Sequence, residues 1–223
     1  MINIEKYKHV IWDWNGTLFD DVELCSKIMN QLLEEANLPK ITVNEYRAVF
    51  TFPVIDYYKA LGHDVGDENW QKISHQFISE YEANKYNYSI YGDAKDVLTK
   101  IKNLGISQSV LSAYKQETLD ELVAHFGLSE FFVGLIGLDN IYATSKLDNG
   151  LKWMKKLGFK KGEVLFVGDT LHDCEVANAI GADPVLITLG HQSIDKLKSC
   201  KIKLIDSLSE LITPELLANS AVT

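Results

Sequence analysis

The sequence has no excess of positive charge. Its 223 residues include 22 Lys and Arg against 31 Asp and Glu, so the formal net charge is -9 at pH 7. Such a chain offers no basic footprint for nucleic acid or for an anionic membrane surface. A small anionic substrate would therefore have to be held by local positive groups, against an acidic background.

Cysteines and long apolar runs are scarce as well. Cys25, Cys174 and Cys200 show no paired spacing, which fits a reducing cytosol and argues against a zinc knuckle or redox pair. No stretch approaches the ~18 consecutive apolar residues of a membrane helix, and the apolar segment near the N-terminus is too short for a signal peptide. We expect a cytoplasmic monomer or homodimer with no nucleic-acid and no membrane partner.

What the sequence does contain is an alternation of short apolar runs and amphipathic stretches. The runs predict buried parallel strands at residues 10–12, 109–111, 133–136, 164–167 and 185–187, with a weaker sixth at 202–205. The amphipathic stretches predict helices at residues 93–104, 116–126, 149–157 and 173–180, several ending on a glycine suited to a C-cap. Together they predict an α/β fold with a Rossmann-like, doubly wound parallel sheet.

The alternation is interrupted between about residues 20 and 88, where the pattern is helical throughout. Helices are predicted at residues 22–36, 43–50, 54–61 and 70–84, and a final fraying helix at 215–223. A helical block inserted after the first strand of an α/β sheet indicates a small cap domain. We therefore expect a core of residues 1–18 and 89–223 and a helical cap of residues 19–88.

An acidic residue ends the first predicted strand. Asp13 is followed by a turn containing Gly16, whose conformational freedom lets backbone amides face an oxyanion or phosphate. Ligands of open α/β sheets bind outside the carboxyl ends of the strands, so Asp13 stands where chemistry is expected. The plainer alternative is a turn in which Asp13 caps local amides.

Three later segments carry further candidate residues. Ser112 follows the second apolar run and Lys146 precedes a helix; taken alone, these would be a helix cap and a solvated lysine. The fourth run ends in Gly-Asp at Asp169, with Asp173 four residues further on. Such oxygen ligands suit a hard divalent cation such as Mg²⁺.

Taken in their order along the chain, these segments resemble the sequence motifs of the haloacid dehalogenase superfamily. Residues 13–20 are similar to its first motif, Asp-x-Asp-Gly-Thr-Leu-x-Asp, and residues 168–173 to its metal motif, Gly-Asp-Thr-x-x-Asp. The helical block lies where that superfamily inserts its C1 cap, and the pattern looks closest to the phosphoglycolate phosphatase-like branch. The resemblance implies a magnesium-dependent hydrolase that removes phosphate from a small phosphorylated metabolite.

The resemblance also implies roles for individual residues. Asp13 would attack phosphorus and form an aspartyl-phosphate, with Asn15 at the position of the general acid/base. The phosphoryl group would be bound by Gly16, Thr17, Ser112, Ala113 and Lys146. The metal would be held by Asp13, the backbone carbonyl of Asn15, Asp169 and Asp173, the last directly or through water.

Asn15 departs from the motif, which has an aspartate there. An amide side chain can hydrogen-bond but cannot transfer protons at neutral pH, and losing a general acid/base typically costs ~10²–10⁴-fold in rate. Several interpretations stay open: a slow phosphatase, another proton donor such as His172, an acyl phosphate substrate, phosphonate hydrolysis, or deamidation at Asn15-Gly16. A true dehalogenase is disfavoured, because it works without a metal and would not need the Asp169 and Asp173 pair.

Two further functions compete with the phosphatase. A catalytically weak phosphate-binding or regulatory protein would explain Asn15, and a phosphoryl transferase or mutase would fit the cap. In the cap, Arg47 is a candidate for a substrate carboxylate, and residues 50–58 could direct aromatic groups towards the opening. Trp70, Phe77 and Tyr81 recur near helical spacing and are expected in the cap's own core.

Overall fold

A computed structural model describes residues 2–139 and 146–212 of the chain. Within them a six-stranded sheet has the order β3-β2-β1-β4-β5-β6, and every neighbouring pair is parallel. The strands are β1 (His9–Trp12), β2 (Ser107–Lys115), β3 (Leu135–Leu138), β4 (Val164–Gly168), β5 (Asp183–Ile187) and β6 (Lys203–Ile205). The predicted α/β fold class is confirmed.

The four-residue strand β1 lies at the centre of the sheet. All four of its residues are buried, and it pairs through Trp12 with Val110 of β2 and with Val167 of β4. The strand order reverses on the two sides of β1, which makes its carboxyl end the crevice where ligands of such sheets bind. Asp13 follows at that end.

Two predicted strands have different bounds in the structure. β2 continues four residues beyond the predicted 109–111, to Lys115, and its pairing with β3 shifts register between Leu111 and Lys115. β3 begins at Leu135 rather than at residue 133, because the side chain of Val133 is 61% exposed and does not belong to a buried run.

Five helices accompany the later strands: α5 (Ala94–Asn103), α6 (Gln116–His125), α7 (Leu147–Leu157), α8 (Leu171–Ile180) and α9 (Ile194–Leu197). Helix α8 begins two residues before its predicted start, because Thr170 caps it. The Thr170 side chain accepts from the Asp173 amide while the Asp173 carboxylate accepts from the Thr170 amide. Gly158 and Gly181 end α7 and α8 in the left-handed conformation, as their C-cap positions predict.

Four α-helices lie between β1 and α5: α1 (Val22–Glu35), α2 (Val43–Val49), α3 (Val54–Ala60) and α4 (Asp67–Asn84). Helix α1 packs against α2 and α4. One continuous apolar cluster joins residues of β1 and β2 to Tyr46, Tyr57 and Tyr81 of these helices. The boundaries of the cap at residues 19 and 88 stay a prediction, and the predicted helix at 215–223 lies outside the described residues.

No helix among the described residues is long and apolar enough to span a membrane.

Candidate active site

Three carboxylates meet at the carboxyl ends of two adjacent strands. Asp13 follows β1 and its amide donates to the Val167 carbonyl at 2.8 Å; Asp169 directly follows β4. Asp173 lies in the first turn of α8. All three are buried, and one oxygen of each lies within 4.8 Å of the others. We call these residues together with Lys146 the catalytic floor.

Lys146 places its ammonium between two of these carboxylates. Its Nζ donates to Asp13 Oδ1, to Asp173 Oδ1 at 2.7 Å and to the Leu111 carbonyl at 3.0 Å. Burial alone would lower the pKa of Lys146, but the charges of Asp13 and Asp173 raise it above its usual value. The lysine is therefore a fixed positive charge beside Asp13.

The three carboxylates have different proton affinities. Burial raises the pKa of Asp13, against the opposing effect of Lys146, and burial raises that of Asp169 to about 6. Burial would also raise the pKa of Asp173, but the charge and hydrogen bond of Lys146 hold it below its usual value. Asp173 is thus the carboxylate that stays ionised most readily.

Backbone and hydroxyl donors orient the two aspartates of the metal motif. Asp173 Oδ2 accepts from the amide and hydroxyl of Thr170, at 2.9 and 2.7 Å, and from the amide of Asp169 at 3.1 Å. Asp169 accepts from Thr17 Oγ1 at 3.2 Å and from the amide of His191 at 2.7 Å. Hydrogen bonds of this kind fix the direction of a ligating carboxylate.

Gly16 and Thr17 contact the residues of the catalytic floor but do not line the pocket. The Gly16 amide already donates to Asp21 Oδ1 and to the Phe19 carbonyl, both at 2.9 Å, and Thr17 is fully buried. Gly16 has φ +71°, and a Cβ there would lie 2.5 Å from Asp169 Oδ2. These two residues shape the turn and hold Asp169, while their predicted contact with substrate stays untested.

Ser112 faces the pocket from within β2, not from the end of a strand as predicted. Its Oγ accepts from the Tyr114 amide at 3.1 Å and lies 3.5 Å from Asn15 Oδ1. Helix α6 begins four residues later, at Gln116. Ser112 and Ala113 both line the pocket, as their predicted phosphoryl contact requires.

The side-chain amide of Asn15 is fully engaged. Its Nδ2 donates to Asp21 Oδ2 at 2.9 Å and to Tyr81 Oη at 2.8 Å, and Tyr81 in turn donates to Asp21 at 2.7 Å. Both amide hydrogens therefore have acceptors. Asn15 is held in place by a carboxylate and a phenol that the sequence did not connect with it.

Asp21 and His191 were not identified from the sequence. His191 Nε2 contacts Asp21 Oδ1 at 3.1 Å, and its Nδ1 contacts Tyr46 Oη at 2.8 Å. Burial would lower the pKa of His191, but Asp21 raises it to about 9, so the ring is cationic at neutral pH. His191 comes shortly after β5, so a search of every strand's carboxyl end would have found it.

A pocket of about 330 Å³ lies above Asp13, between the catalytic floor and helices α2–α4. Trp70, Phe77 and Tyr81 pack in the apolar cluster, as expected, and they also line the pocket, which the sequence did not indicate. His172 also lines it, on helix α8, and stacks on Phe52 with ring centroids 4.9 Å apart. It is therefore a half-buried helical residue and not part of an exposed loop.

Arg47 does not line the pocket. Its Nε donates to the Gly190 carbonyl at 2.9 Å and its guanidinium Nη2 to the Leu189 carbonyl at 2.5 Å. It joins α2 to the loop after β5, in place of the predicted contact with a substrate carboxylate.

Comparisons with curated proteins find relatives along nearly the whole chain. A phosphoglycolate phosphatase from Haemophilus influenzae (strain 86-028NP) is 25% identical over 219 residues, covering 93% of this chain and 98% of that protein. A phosphoglycolate phosphatase from Vibrio parahaemolyticus is 23% identical over 224 residues, covering 96% of this chain and 97% of that protein.

Solved structures share the fold. A haloacid dehalogenase-like hydrolase from Bacteroides fragilis superposes with a TM-score of 0.80 at 19% identity, covering 92% of this chain and 100% of that one. A haloacid dehalogenase-like family hydrolase from Streptococcus pneumoniae gives a TM-score of 0.79 at 16% identity, covering 93% of this chain and 97% of that one.

The family model described as haloacid dehalogenase-like hydrolase matches residues 10–187, a range that contains Asp13, Lys146, Asp169 and Asp173. The resemblance drawn from the sequence is confirmed, and the chain belongs to the haloacid dehalogenase-like hydrolase family.

Proposed function

We propose that this chain is a magnesium-dependent phosphatase that hydrolyses a small phosphate monoester through an aspartyl-phosphate on Asp13. The observation that carries the proposal is the Asp13 carboxylate, buried at the end of the central strand and facing the pocket. Lys146 binds this carboxylate on one side. A nucleophile without such a partner would be repelled by an incoming phosphate dianion.

The carboxylates of the catalytic floor fit a hard divalent cation. Asp13, Asp169 and Asp173 set three negative charges against the ammonium of Lys146, and burial raises the pKa of the first two. A divalent cation favours their ionised forms and takes oxygen ligands. Asp13, the Asn15 carbonyl and Asp169 would hold it, with Asp173 acting through water, because Asp173 already binds Lys146 and Thr170. When bound, Mg²⁺ would polarise the phosphoryl oxygens.

The residues of the chain supply the remaining chemistry. An Asp13 oxygen attacks phosphorus, and the ester P–O bond breaks with its electron pair leaving on the alcohol oxygen. Lys146 and Ser112 border the reacting group and stabilise its charge. Water then attacks the aspartyl-phosphate, which restores the carboxylate and releases inorganic phosphate.

The first experiment is an assay of phosphate release with phosphoglycolate, phenyl phosphate and acetyl phosphate, with Mg²⁺ and after chelation. Asp13→Asn is expected to lose at least ~10⁴-fold in kcat, because its amide is no nucleophile. Asp195→Asn is the matched control, since its side chain is 93% exposed. The wild-type protein should also accumulate a phosphoryl group on Asp13, detected by peptide mass. Full activity in Asp13→Asn would refute the proposal.

A second candidate is a phosphate-binding or regulatory protein with little turnover. Asn15 favours it, because its amide hydrogens are bound to Asp21 and Tyr81 and no proton is available there for the leaving group. Phosphate binding by calorimetry, without release from any ester in wild type or Asn15→Asp, would support this candidate instead.

A further inference from the structure

The walls of the pocket above Asp13 are built from rings. Tyr58 and Trp70 meet edge to face with centroids 5.2 Å apart, and Tyr81 and Tyr114 do so at 5.4 Å. The aromatic residues around the cavity include Phe50, Phe52, Tyr57, Tyr58, Trp70 and Phe77. We call these six the aromatic wall. Its rings offer flat apolar surface and positive ring edges to a bound molecule.

The same wall offers little to a substrate carboxylate. The cations among the described lining residues already have partners. Lys146 is bound to Asp13 and Asp173, and Lys115 to Glu117 at 2.5 Å. The ring of His191 contacts Asp21 and Tyr46. Glu82 also lines the pocket and is itself an anion, shared between Lys85 and Tyr114 at 2.6 Å each. A carboxylate buried there would be unpaired and close to a like charge, which is unfavourable.

Two hydroxyl groups in the pocket have no hydrogen-bond partner within the described part of the chain. They are Tyr57 Oη and Ser74 Oγ, on residues that are only 2% and 6% exposed. Buried hydroxyls without partners are rare in folded proteins, and at a binding pocket they point to a ligand. Neutral hydroxyls suit a neutral polar substituent on an otherwise apolar group.

A separate observation concerns the leaving oxygen. Asn15 stands where the motif has its proton donor, and its amide hydrogens are taken by Asp21 and Tyr81. A leaving group that departs without protonation must be a weak base. A phenol ionises near pH ~10, as tyrosine does, whereas bulk water, which simple alcohols resemble, has a pKa of about 15.7.

From the aromatic wall and from the engaged amide of Asn15, we propose that the substrate is an aryl phosphate. Its ring lies against the aromatic wall, and its phenolic oxygen leaves unprotonated. The proposal rests on the phosphatase function and names its substrate class. An Asp13 oxygen bonds to phosphorus, the P–O(aryl) bond breaks, and its electron pair leaves on the phenolate, which takes a proton from solvent. Water hydrolyses the aspartyl-phosphate, and its protons stay on the phosphate product and solvent.

The test uses four phosphate compounds with the magnesium-loaded enzyme. Phenyl phosphate has a ring and a good leaving group, and benzyl phosphate has a ring and a poor one. Acetyl phosphate has a good leaving group and no ring, and phosphoglycolate has a carboxylate and no ring. We expect phenyl phosphate to have the highest kcat/KM. Benzyl phosphate should share its KM but have a kcat about 100-fold lower, the typical worth of the missing proton donor.

The variant Asn15→Asp separates leaving-group chemistry from ring binding. It should raise kcat for benzyl phosphate by about 100-fold and for phenyl phosphate by much less, with both KM values nearly unchanged. An equal gain for both esters would overturn the leaving-group part of the proposal.

The variant Phe77→Ala tests the wall. Phe77 is half-buried on α4 and lines the pocket, whereas Phe132 is also half-buried but does not line it and serves as control in Phe132→Ala. Phe77→Ala should raise KM for phenyl phosphate about tenfold and leave that for acetyl phosphate unchanged. If Phe77→Ala does not fold, Phe77→Leu, which keeps apolar bulk but removes the ring, is measured in its place.

The outcomes distinguish the aryl phosphate substrate from the phosphatase function on which it rests. A higher kcat/KM for phosphoglycolate than for phenyl phosphate would overturn the aryl substrate and leave the phosphatase standing. Absence of phosphate release from all four compounds, in wild type and Asn15→Asp alike, would overturn both.

Discussion

The catalytic floor and the aromatic wall face each other across one pocket and are built in opposite ways. Lys146 and the carboxylates of the floor are charged, buried and hydrogen-bonded on several sides. The wall is apolar, and Tyr57 leaves its hydroxyl without a partner in the described residues. Under the proposed function, the floor would bind the phosphate group and the wall would select what the phosphate is attached to. Reaction type and substrate choice would then depend on separate residues.

This difference has an energetic side. Each charge of the floor depends on its neighbours, because a buried ion without its partner is costly. A ring of the wall can change with a smaller penalty, since dispersion and apolar burial are shared among many contacts. Substitutions in the floor should therefore disturb both folding and chemistry, and substitutions in the wall mainly the choice of substrate.

The largest effect is expected for Lys146→Met. It leaves Asp13 and Asp173 buried without their shared cation, which should lower the free energy of unfolding by about 3–5 kcal/mol and abolish phosphate release. The control is Lys102→Met, which removes an exposed ion pair with Glu130 and should cost less than about 1 kcal/mol. Urea denaturation measures both. An equal decrease in the free energy of unfolding in both variants would show that the buried ion pairs of the floor matter no more than an exposed one.

The next effect is a pH dependence where the floor joins the cap helices. Burial would lower the pKa of His191 from 6.5, but the charge and hydrogen bond of Asp21 raise it to about 9. The ion pair therefore contributes its full stability below about pH 6.5, and this contribution is lost as pH rises through 9. The loss should approach about 3 kcal/mol. His191→Gln cannot ionise and should flatten this part of the urea-stability profile. An unchanged slope in the variant would assign the dependence to other groups.

The carboxylates of the floor could be predicted from sequence because each follows a local rule, whereas Lys146 was placed only by the family resemblance. Asp13 and Asp169 directly follow buried strands, and the geometry of a parallel sheet brings such positions together. Asp173 lies one helical turn further, where a capping box holds it. Short segments with strong local rules therefore predicted the three carboxylates and their place at the end of the sheet.

The partners of Asn15 could not be predicted in the same way. Tyr81 lies 66 residues away on α4, and Asp21 and His191 are 170 residues apart. The Tyr81 contact depends on how α4 packs over the sheet, and the contact of His191 with Asp21 depends on where the loop after β5 meets the start of α1. Helical periodicity determines neither. For the same reason the sequence predicted Trp70 and Phe77 to lie in the core of the cap and did not indicate that they also line the pocket.

A change of charge beside the aromatic wall should alter specificity. Ile78 lines the pocket on α4, and Ile78→Arg would supply the cation that a substrate carboxylate lacks there. We expect kcat/KM for phosphoglycolate to rise about tenfold relative to that for phenyl phosphate, the value of a charged hydrogen bond. Gln76→Arg places the same charge on the same helix outside the pocket and should have no such effect. A similar change in both would indicate long-range attraction rather than a local contact.

The smallest effect is expected where the wall has its unpartnered hydroxyl. Tyr57→Phe removes a buried oxygen without any hydrogen-bond partner in the described residues, so the free protein should be unchanged or stabilised by up to about 1 kcal/mol. Tyr58→Phe, a neighbouring ring of the same wall, is the comparison. If the Tyr57 hydroxyl serves a ligand, Tyr57→Phe should weaken binding of a ring-hydroxylated aryl phosphate more than that of phenyl phosphate. Thermal unfolding and KM measurements test this prediction. If Tyr57→Phe is destabilised and the ratio of the KM values for the two aryl phosphates is unchanged, the hydroxyl stabilises the fold and does not bind a ligand.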